Sequence, residues 1–302
     1  MDRRNFLDST LKTGLAIGSI MAVNPVGTLL AGQTDYDLVA VKGGNPDAMF
    51  DKAIASLGGM KRYVKQGQTV VVKPNIGWDV TPERAGNTNP LLVKRIIEHC
   101  YNAGAKKVYV FDNTCDNWEK CYTNSGIERA VKDAGGRIVS GSNENKYHEV
   151  EVKYGKVLTK AKVHELILES NVFINVPILK HHSSAKLTIS MKNLMGIVWD
   201  RRFWHSHNLH QCIADMATWR KPDLNIVDAY NVLRKNGPRG VSKADVENMK
   251  SLLISKDMVV IDAAATKLFG MEPDDIPYIK IAHDMKVGNK DLSKLNINRI
   301  KM

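Results

Sequence analysis

The stretch from Asn175 to Gln211 holds the densest set of groups able to bind an anion or a metal. It runs Asn175-Val-Pro-Ile-Leu-Lys-His-His, then Lys186-Leu-Thr-Ile-Ser-Met-Lys-Asn-Leu-Met-Gly, then His205-Ser-His-Asn-Leu-His, and it contains five of the nine histidines. Lys180 and Lys192 are point charges suited to neutralising an anion. The imidazoles of His205, His207 and His210 suit zinc, copper, iron or nickel, with Asp228 or Asp112 able to complete such a site. The competing chemistry is general acid–base work by one histidine beside a lysine-lined anion pocket. In extended chain Lys180 and His181 point opposite ways, as do His181 and His182, so neighbours in sequence cannot both face one pocket.

These groups need elements to hold them. Short β-branched or apolar runs at Tyr36–Lys42, Gln68–Lys73, Lys107–Phe111, Arg137–Ser140 and Asn171–Pro177 read as strands. Helical spacing covers Pro46–Val64, the segment opened by Asn89-Pro90 and ending near Gly104, and Ser125–Ala134. Alternation at this spacing implies βαβ units and a mostly parallel, Rossmann-like α/β sheet flanked by helices. Val150–Lys153 and Lys156–Thr159, around Tyr154-Gly155, predict a small β-hairpin insertion. Val163–Glu169 predicts a short helix, Lys186–Lys192 a strand with Leu187, Ile189 and Met191 on one face, and Leu209–Trp219 a helix. Leu224–Val227 and Leu252–Ser255 read as strands, Val259–Phe269 as a helix stopped by Gly270, and the polar tail after Val287 as a loose end or an edge strand.

Ligands of open parallel sheets bind at the carboxyl ends of the strands. Those ends carry Lys73, Pro74 and Asn75, then Asp112, Asn113 and Thr114, then Asn175, Lys180 and His181, then Asp228 and Asn231. Asn, Asp and Pro are also common turn residues, but turn preference accounts for one such end better than for all of them. No G-x-S-x-G, Walker loop or post-strand G-x-G-x-x-G is present, which argues against serine hydrolases, nucleoside triphosphatases and dinucleotide enzymes.

The 302 residues carry a formal charge of +11. The lysines are scattered, with no basic tail and no basic–aromatic interleaving, which favours one electropositive pocket over nucleic-acid binding. Met1-Asp-Arg-Arg-Asn-Phe-Leu followed by a mildly apolar run to Ala31 reads as a twin-arginine export signal over residues 1–31, with one α/β domain over 32–302. Asn24-Pro25 breaks that run before the ~20 residues of a membrane span, so no stable transmembrane helix is expected in the mature chain. The expected address is the periplasm, and the translocase would carry an already folded chain, which raises the expectation of a cofactor. Cys100, Cys115, Cys121 and Cys212 form no C-x-x-C, so no iron–sulfur or structural-zinc framework is visible. Cys115 and Cys121 are close enough in sequence to pair across a short loop.

Taken in order, Val-Val-Lys73-Pro-Asn75, Thr88-Asn-Pro, Ala103-Gly-Ala-Lys-Lys-Val, Asp112, Ser125-Gly-Ile, Asn175-Val-Pro with Lys180, Leu187-Thr to Lys192-Asn193-Leu-Met-Gly196, His210, Ile226-Val-Asp228-Ala, Gly237-Pro238 and Val260-Ile-Asp262-Ala resemble domain-of-unknown-function family 362. The resemblance runs from Val39 to the end. It implies an α/β protein of largely unassigned activity. Many members add a ferredoxin-like iron–sulfur module, which this chain lacks, and some carry a twin-arginine signal. The residues it carries over are Lys73, Asn75, Asp112, Lys180, His181, Lys192, Asn193, His210, Asp228 and Asp262, the last also a candidate brace for the helix from Val259.

These readings converge on an exported, cofactor- or metal-dependent enzyme, redox chemistry included, acting on a small anionic substrate. Lys180, His181, Lys192 and His210 are its candidate catalytic residues. Lys73, Asn75, Asp112, Asn193 and Asp228 are candidate ligand-binding residues, and His181, His210 and Asp228 a candidate metal set. The alternative is a non-catalytic binding protein using the same pocket.

Overall fold

The computed structural model describes residues 35–302, so the export segment read over residues 1–31 lies outside it. The chain opens with β1 (Leu38–Lys42), α1 (Pro46–Ser56), β2 (Thr69–Pro74), α2 (Pro90–Asn102), β3 (Lys107–Val110), α3 (Trp118–Asn124), α4 (Ile127–Asp133) and β4 (Arg137–Ile138). Next come β5 (Tyr147–Glu151), β6 (Lys160–His164), α5 (Glu165–Glu169), β7 (Val172–Val176), β8 (Ile178–His182), β9 (Lys186–Thr188) and α6 (Ser190–Asn193). It finishes with α7 (Arg202–Ser206), α8 (Leu209–Trp219), β10 (Leu224–Leu233), β11 (Val246–Ser255), α9 (Met258–Phe269), α10 (Pro277–Asp284) and β12 (Ile297–Lys301).

The main sheet has the order β12-β1-β11-β10-β7-β2-β3-β4. Along this path only β11 runs against its neighbours, β1 and β10; the other pairs are parallel. β8 continues beside the far half of β10 and pairs back on β9. The mostly parallel α/β sheet with a small antiparallel hairpin, β5–β6, is therefore as expected.

The β-branched runs have their reason in two cores, one on each face. Val39, Val41, Val70 and Val72 pack under α1 to α4, while Leu38, Ala40 and Val71 pack on the opposite face with α8, α9 and α10. A strand covered on both sides must be apolar at every position, which is why these strands read as continuous runs. Local chemistry also behaves as read: Asn89 caps α2 by accepting from Leu91 N at 3.0 Å, and Gly270 ends α9 at a φ of 89°.

Several elements differ from expectation. The second hairpin strand is Lys160–His164, beyond the Lys156–Thr159 run, so Tyr154-Gly155 lies in a longer loop. β10 and β11 run to ten residues each, well past their apolar cores. The tail forms an edge strand, β12, parallel to β1. The largest difference is at Lys186–Lys192: the strand ends at Thr188 and the chain turns into α6. The cause is remote in sequence. Asp262, buried within α9, accepts Ser190 N at 2.7 Å and Met191 N at 3.0 Å, which partners two N–H groups that open a helix. α9 itself is capped by Asp257. Among the described residues no helix is long and apolar enough to cross a membrane.

Removing the Asp262 carboxylate strands both N–H groups in the core. Asp262→Ala is expected to lower stability by about 2–4 kcal/mol in urea denaturation, and Asp262→Asn, which keeps an acceptor, by less. Equal losses in the two variants would show that the carboxylate does not hold α6.

Candidate functional site

Strand register builds the floor of the site. Lys73 on β2 sits beside Asn175 on β7, and Asn175 beside Asn225 on β10. Three neighbouring parallel strands thus carry a row of polar side chains directly after apolar residues, Val72, Ile174 and Leu224. α6 lies over this row. Asn175 Nδ2 donates to Ser190 Oγ at 2.9 Å and lies 3.0 Å from Asn225 Oδ1, while Ser190 Oγ donates to Asn225 Oδ1 at 2.6 Å. Asn193 Nδ2 donates to Asn175 Oδ1 at 2.9 Å, which joins α6 to the row at both ends. Every member is buried, so the network is strong only because it is satisfied.

At the end of the row lies Lys73, fully buried. Its ammonium donates to Pro74 O at 2.8 Å and Asn193 Oδ1 at 3.0 Å, and ion-pairs with Asp112 Oδ1 at 2.7 Å. Oδ1 makes no directed hydrogen bond besides this charge contact. Oδ2 of Asp112 accepts Ile76 N at 2.7 Å. Burial pushes the Lys73 ammonium pKa down, and Asp112 pulls against it. Gly196 makes this pair possible: a Cβ there would stand 1.8 Å from Asp112 Oδ1 and 2.6 Å from Lys73 Nζ.

Above the pair is a small cavity of about 60 Å³, room for a few water-sized groups. Lys73, Asn75, Asp112, Lys180, Lys192 and Asn193 line it, so six of the expected residues converge from β2 and the turn after it, the turn after β3, β8 and α6. Lys180, on β8, donates to Asn75 Oδ1 at 3.0 Å and Gly86 O at 2.6 Å. Lys192 is only 9% exposed, and among the described residues its ammonium makes no hydrogen bond and no ion pair. With Arg201 the cavity has four basic side chains against one carboxylate, Asp112.

The environment separates the lysines. Burial, with the charges of Lys192 and Lys73 adding to it, brings Lys180 down to about 7. Burial, with Arg201 and Lys73 adding to it, brings Lys192 to about 8. His182, also lining the cavity, is pushed to about 2 by burial and then by these two lysines. Its Nδ1 accepts Ser184 N and Ala185 N, each at 3.2 Å, which assigns the ring proton to Nε2.

His181, His210 and Asp228 do not join this group. His181 turns to the other side of β8, where its Nδ1 accepts Gly237 N at 3.1 Å. His210 stacks on Tyr278, and His205 and His207 are exposed around the end of α7. Asp228 braces the backbone by accepting Asn89 N at 2.7 Å and Tyr230 N at 3.0 Å, and burial raises its pKa to about 6. Among the described residues no three His, Cys, Asp or Glu groups are gathered to hold a metal. Cys115 and Cys121 are free thiols, and Cys115 lies at the cavity with its Sγ 3.5 Å from Arg201 Nη1.

The sequence reading missed His182, Arg201 and Cys115 as lining residues, and Ser190 and Asn225 as network members. His182 had a signal, since alternation on a strand puts residues 180 and 182 on one face. The others had none, because they depend on register and on loops brought from elsewhere.

The family model for Domain of unknown function (DUF362) matches residues 70–267, and the chain belongs to this family. A thylakoid-associated protein, sll1697, of Synechocystis sp. (strain ATCC 27184 / PCC 6803 / Kazusa) is 26% identical over 237 residues, 73% of this chain and 69% of its own. The lactate racemase apoprotein from Thermoanaerobacterium thermosaccharolyticum matches 75% of this chain and 56% of its own at 12% identity and a TM-score of 0.47. A structural-genomics protein from Thermotoga maritima matches 61% and 51% at 13% identity and a TM-score of 0.40. The chain thus spans little more than half the length of these two solved proteins.

Gly196→Ala is expected to separate Lys73 from Asp112 and to cost about 3 kcal/mol or more, the scale of breaking a buried ion pair. Gly77, whose added Cβ would meet Asn75 Oδ1 at 3.7 Å, is the control. Gly77→Ala should lie within about 1 kcal/mol of the parent. Equal denaturation midpoints for the two variants would contradict this account.

Proposed function

We propose that this member of the family is an enzyme that takes the anionic group of a small substrate into the lysine-lined cavity, with Lys192 as counter-ion and Lys180 as the group that moves a proton. The observation that carries the reading is the Lys192 ammonium, buried and, among the described residues, without a partner. An unpaired buried cation is costly, and a bound carboxylate or phosphate would offset that cost. Lys73 cannot serve, because Asp112, Pro74 and Asn193 already engage it.

Two lysines with different ionisation suit two roles. With its pKa near 7, Lys180 exists as both amine and ammonium at neutral pH and can accept or donate a proton. Lys192, near 8, stays mostly cationic there and serves charge neutralisation. Neutral His182 adds an Nε2–H donor at the cavity, and Asn75 holds Lys180 in place. The general rule is that titratable neighbours pushed apart in pKa mark acid–base assignments.

The twin-arginine segment supports export to the periplasm as part of the same proposal, with cofactor loading before transport. Elemental analysis and a UV–visible spectrum of protein recovered from the periplasm test both halves. A stoichiometric metal or chromophore supports a cofactor. Metal-free, colourless, active protein sinks it, and protein retained in the cytoplasm sinks export.

Anion binding should weaken as pH rises through about 8, because the Lys192 ammonium is present below that value and lost above it. Calorimetry with acetate, which does not itself titrate there, should show this trend with proton uptake around pH 8. Lys192→Met should lower affinity on the order of tenfold or more and flatten the pH dependence. Lys180→Met should keep binding within a few-fold and abolish turnover in a screen of small carboxylates and phosphate esters. Affinity unchanged in Lys192→Met would refute the counter-ion role. Binding without turnover by the parent protein across the screen would favour a non-catalytic carrier.

A further inference from the structure

We infer that the ligand is bipartite: an anionic head seated in the lysine cavity and an uncharged, flat apolar body lying in the groove beside it. The inference rests on the anion reading above and adds what the rest of the substrate must be.

The cavity cannot hold a whole metabolite of ordinary size. It adjoins a groove of about 750 Å³, and Asn113 and Arg201 line both. The groove runs between the β5–β6 hairpin with its loop and the segment from Val198 to Trp204. That segment is fixed on two sides. Trp199 N donates to Lys162 O at 3.0 Å, and Asn113 Nδ2 donates to Val198 O at 2.8 Å. Arg201 closes the corner by donating to Asn113 O at 2.8 Å and Thr114 O at 2.7 Å. The two spaces therefore share a rigid boundary, built by the same residues.

Their chemistry is opposite. In the cavity a lysine lacks a partner. In the groove the charged side chains are already matched: Lys162 pairs with Glu144 at 2.6 Å, Lys160 with Glu149 at 2.8 Å, and Asp200 accepts Arg202 N and Phe203 N. Only the Arg202 guanidinium, exposed at the rim, is without a partner among the described residues. The apolar side chains that reach the groove are Val157, Trp199 and Phe203, with Leu158, Val198 and Trp204 buried at its lining. Trp199 and Phe203 are half-buried, and Trp204 is fully buried. Phe203 stacks on His207 and Trp199 leans on Tyr147, so part of each ring is left to a ligand, and that aromatic surface over an apolar floor favours a planar body.

Calorimetric titration of the full chain with two matched series tests the inference: inorganic phosphate against 2-naphthyl phosphate, and acetate against 2-naphthoate. The naphthyl member of at least one pair should bind about tenfold tighter or better than its small partner. That advantage should shrink to a few-fold in Trp199→Leu and in Ala161→Arg, which fills the groove from β6, while the small anion binds both variants as it binds the parent. Two variants guard against one that fails to fold. Equal affinities within both pairs, or an advantage that survives both variants, would overturn the bipartite ligand and leave the anion reading standing. Binding of none of the four probes would overturn the anion reading, and this inference with it.

Discussion

A buried ammonium facing a buried carboxylate is the constraint on which the centre of this molecule depends. Desolvating the two charges is expensive, and their attraction offsets the cost only if the remaining lone pairs and protons find partners. Lys73 meets that condition through Pro74 O and Asn193 Oδ1, and Asp112 through Ile76 N. Each of those partners must then be held in turn. Asn193 is fixed by Asn175, Asn175 by Ser190 and Asn225, and Ser190 by Asp262. The polar row is thus the chain of supports that a single buried ion pair requires. It fixes α6, and α6 carries Lys192.

The same order explains why one lysine is free. Lys73 spends its donors on structure and Lys180 spends two on Asn75 and Gly86. Lys192 leaves the end of α6 at a place where no described residue offers it a hydrogen bond or an ion pair. A fold selected only for stability would pair that charge or expose it. Keeping it buried and unpaired, beside Lys180, is the kind of local cost found where a ligand completes the structure.

Much of this fold was legible because the local signals agree with the global one. β-Branched runs mark doubly covered strands, Asn89-Pro90 marks a helix start and Gly270 a helix end. Legibility failed where a remote group overrides a local pattern. The alternation from Lys186 to Lys192 is a sound strand pattern, yet Asp262 turns the chain after Ile189. At the site, strand ends pointed to Lys73, Asn75, Asp112 and Lys180, because in a parallel sheet those ends must lie together. Asn225 and Ser190 joined the network through register and a helix turn, neither of which a single strand announces. Of the His205–His207–His210 cluster, His205 lies in α7, His207 just beyond it and His210 in α8, and among the described residues they form no group of three ligands.

The edge of the sheet sets an order on folding. β1 is the first strand of the described chain, and its neighbours are β11 and β12, so Ala40 finds Leu253 on one side and Arg299 on the other. During synthesis β1 has no strand partner until nearly all of the chain has been made. Its sequence, Leu-Val-Ala-Val-Lys, is apolar with open hydrogen-bonding edges, which is a template for pairing with another chain. The most exposed interval in the life of this protein is therefore before its last strands arrive, and non-local closure of this kind is slow. A chaperone that shields the first strand would act there, far from the site and before the site exists.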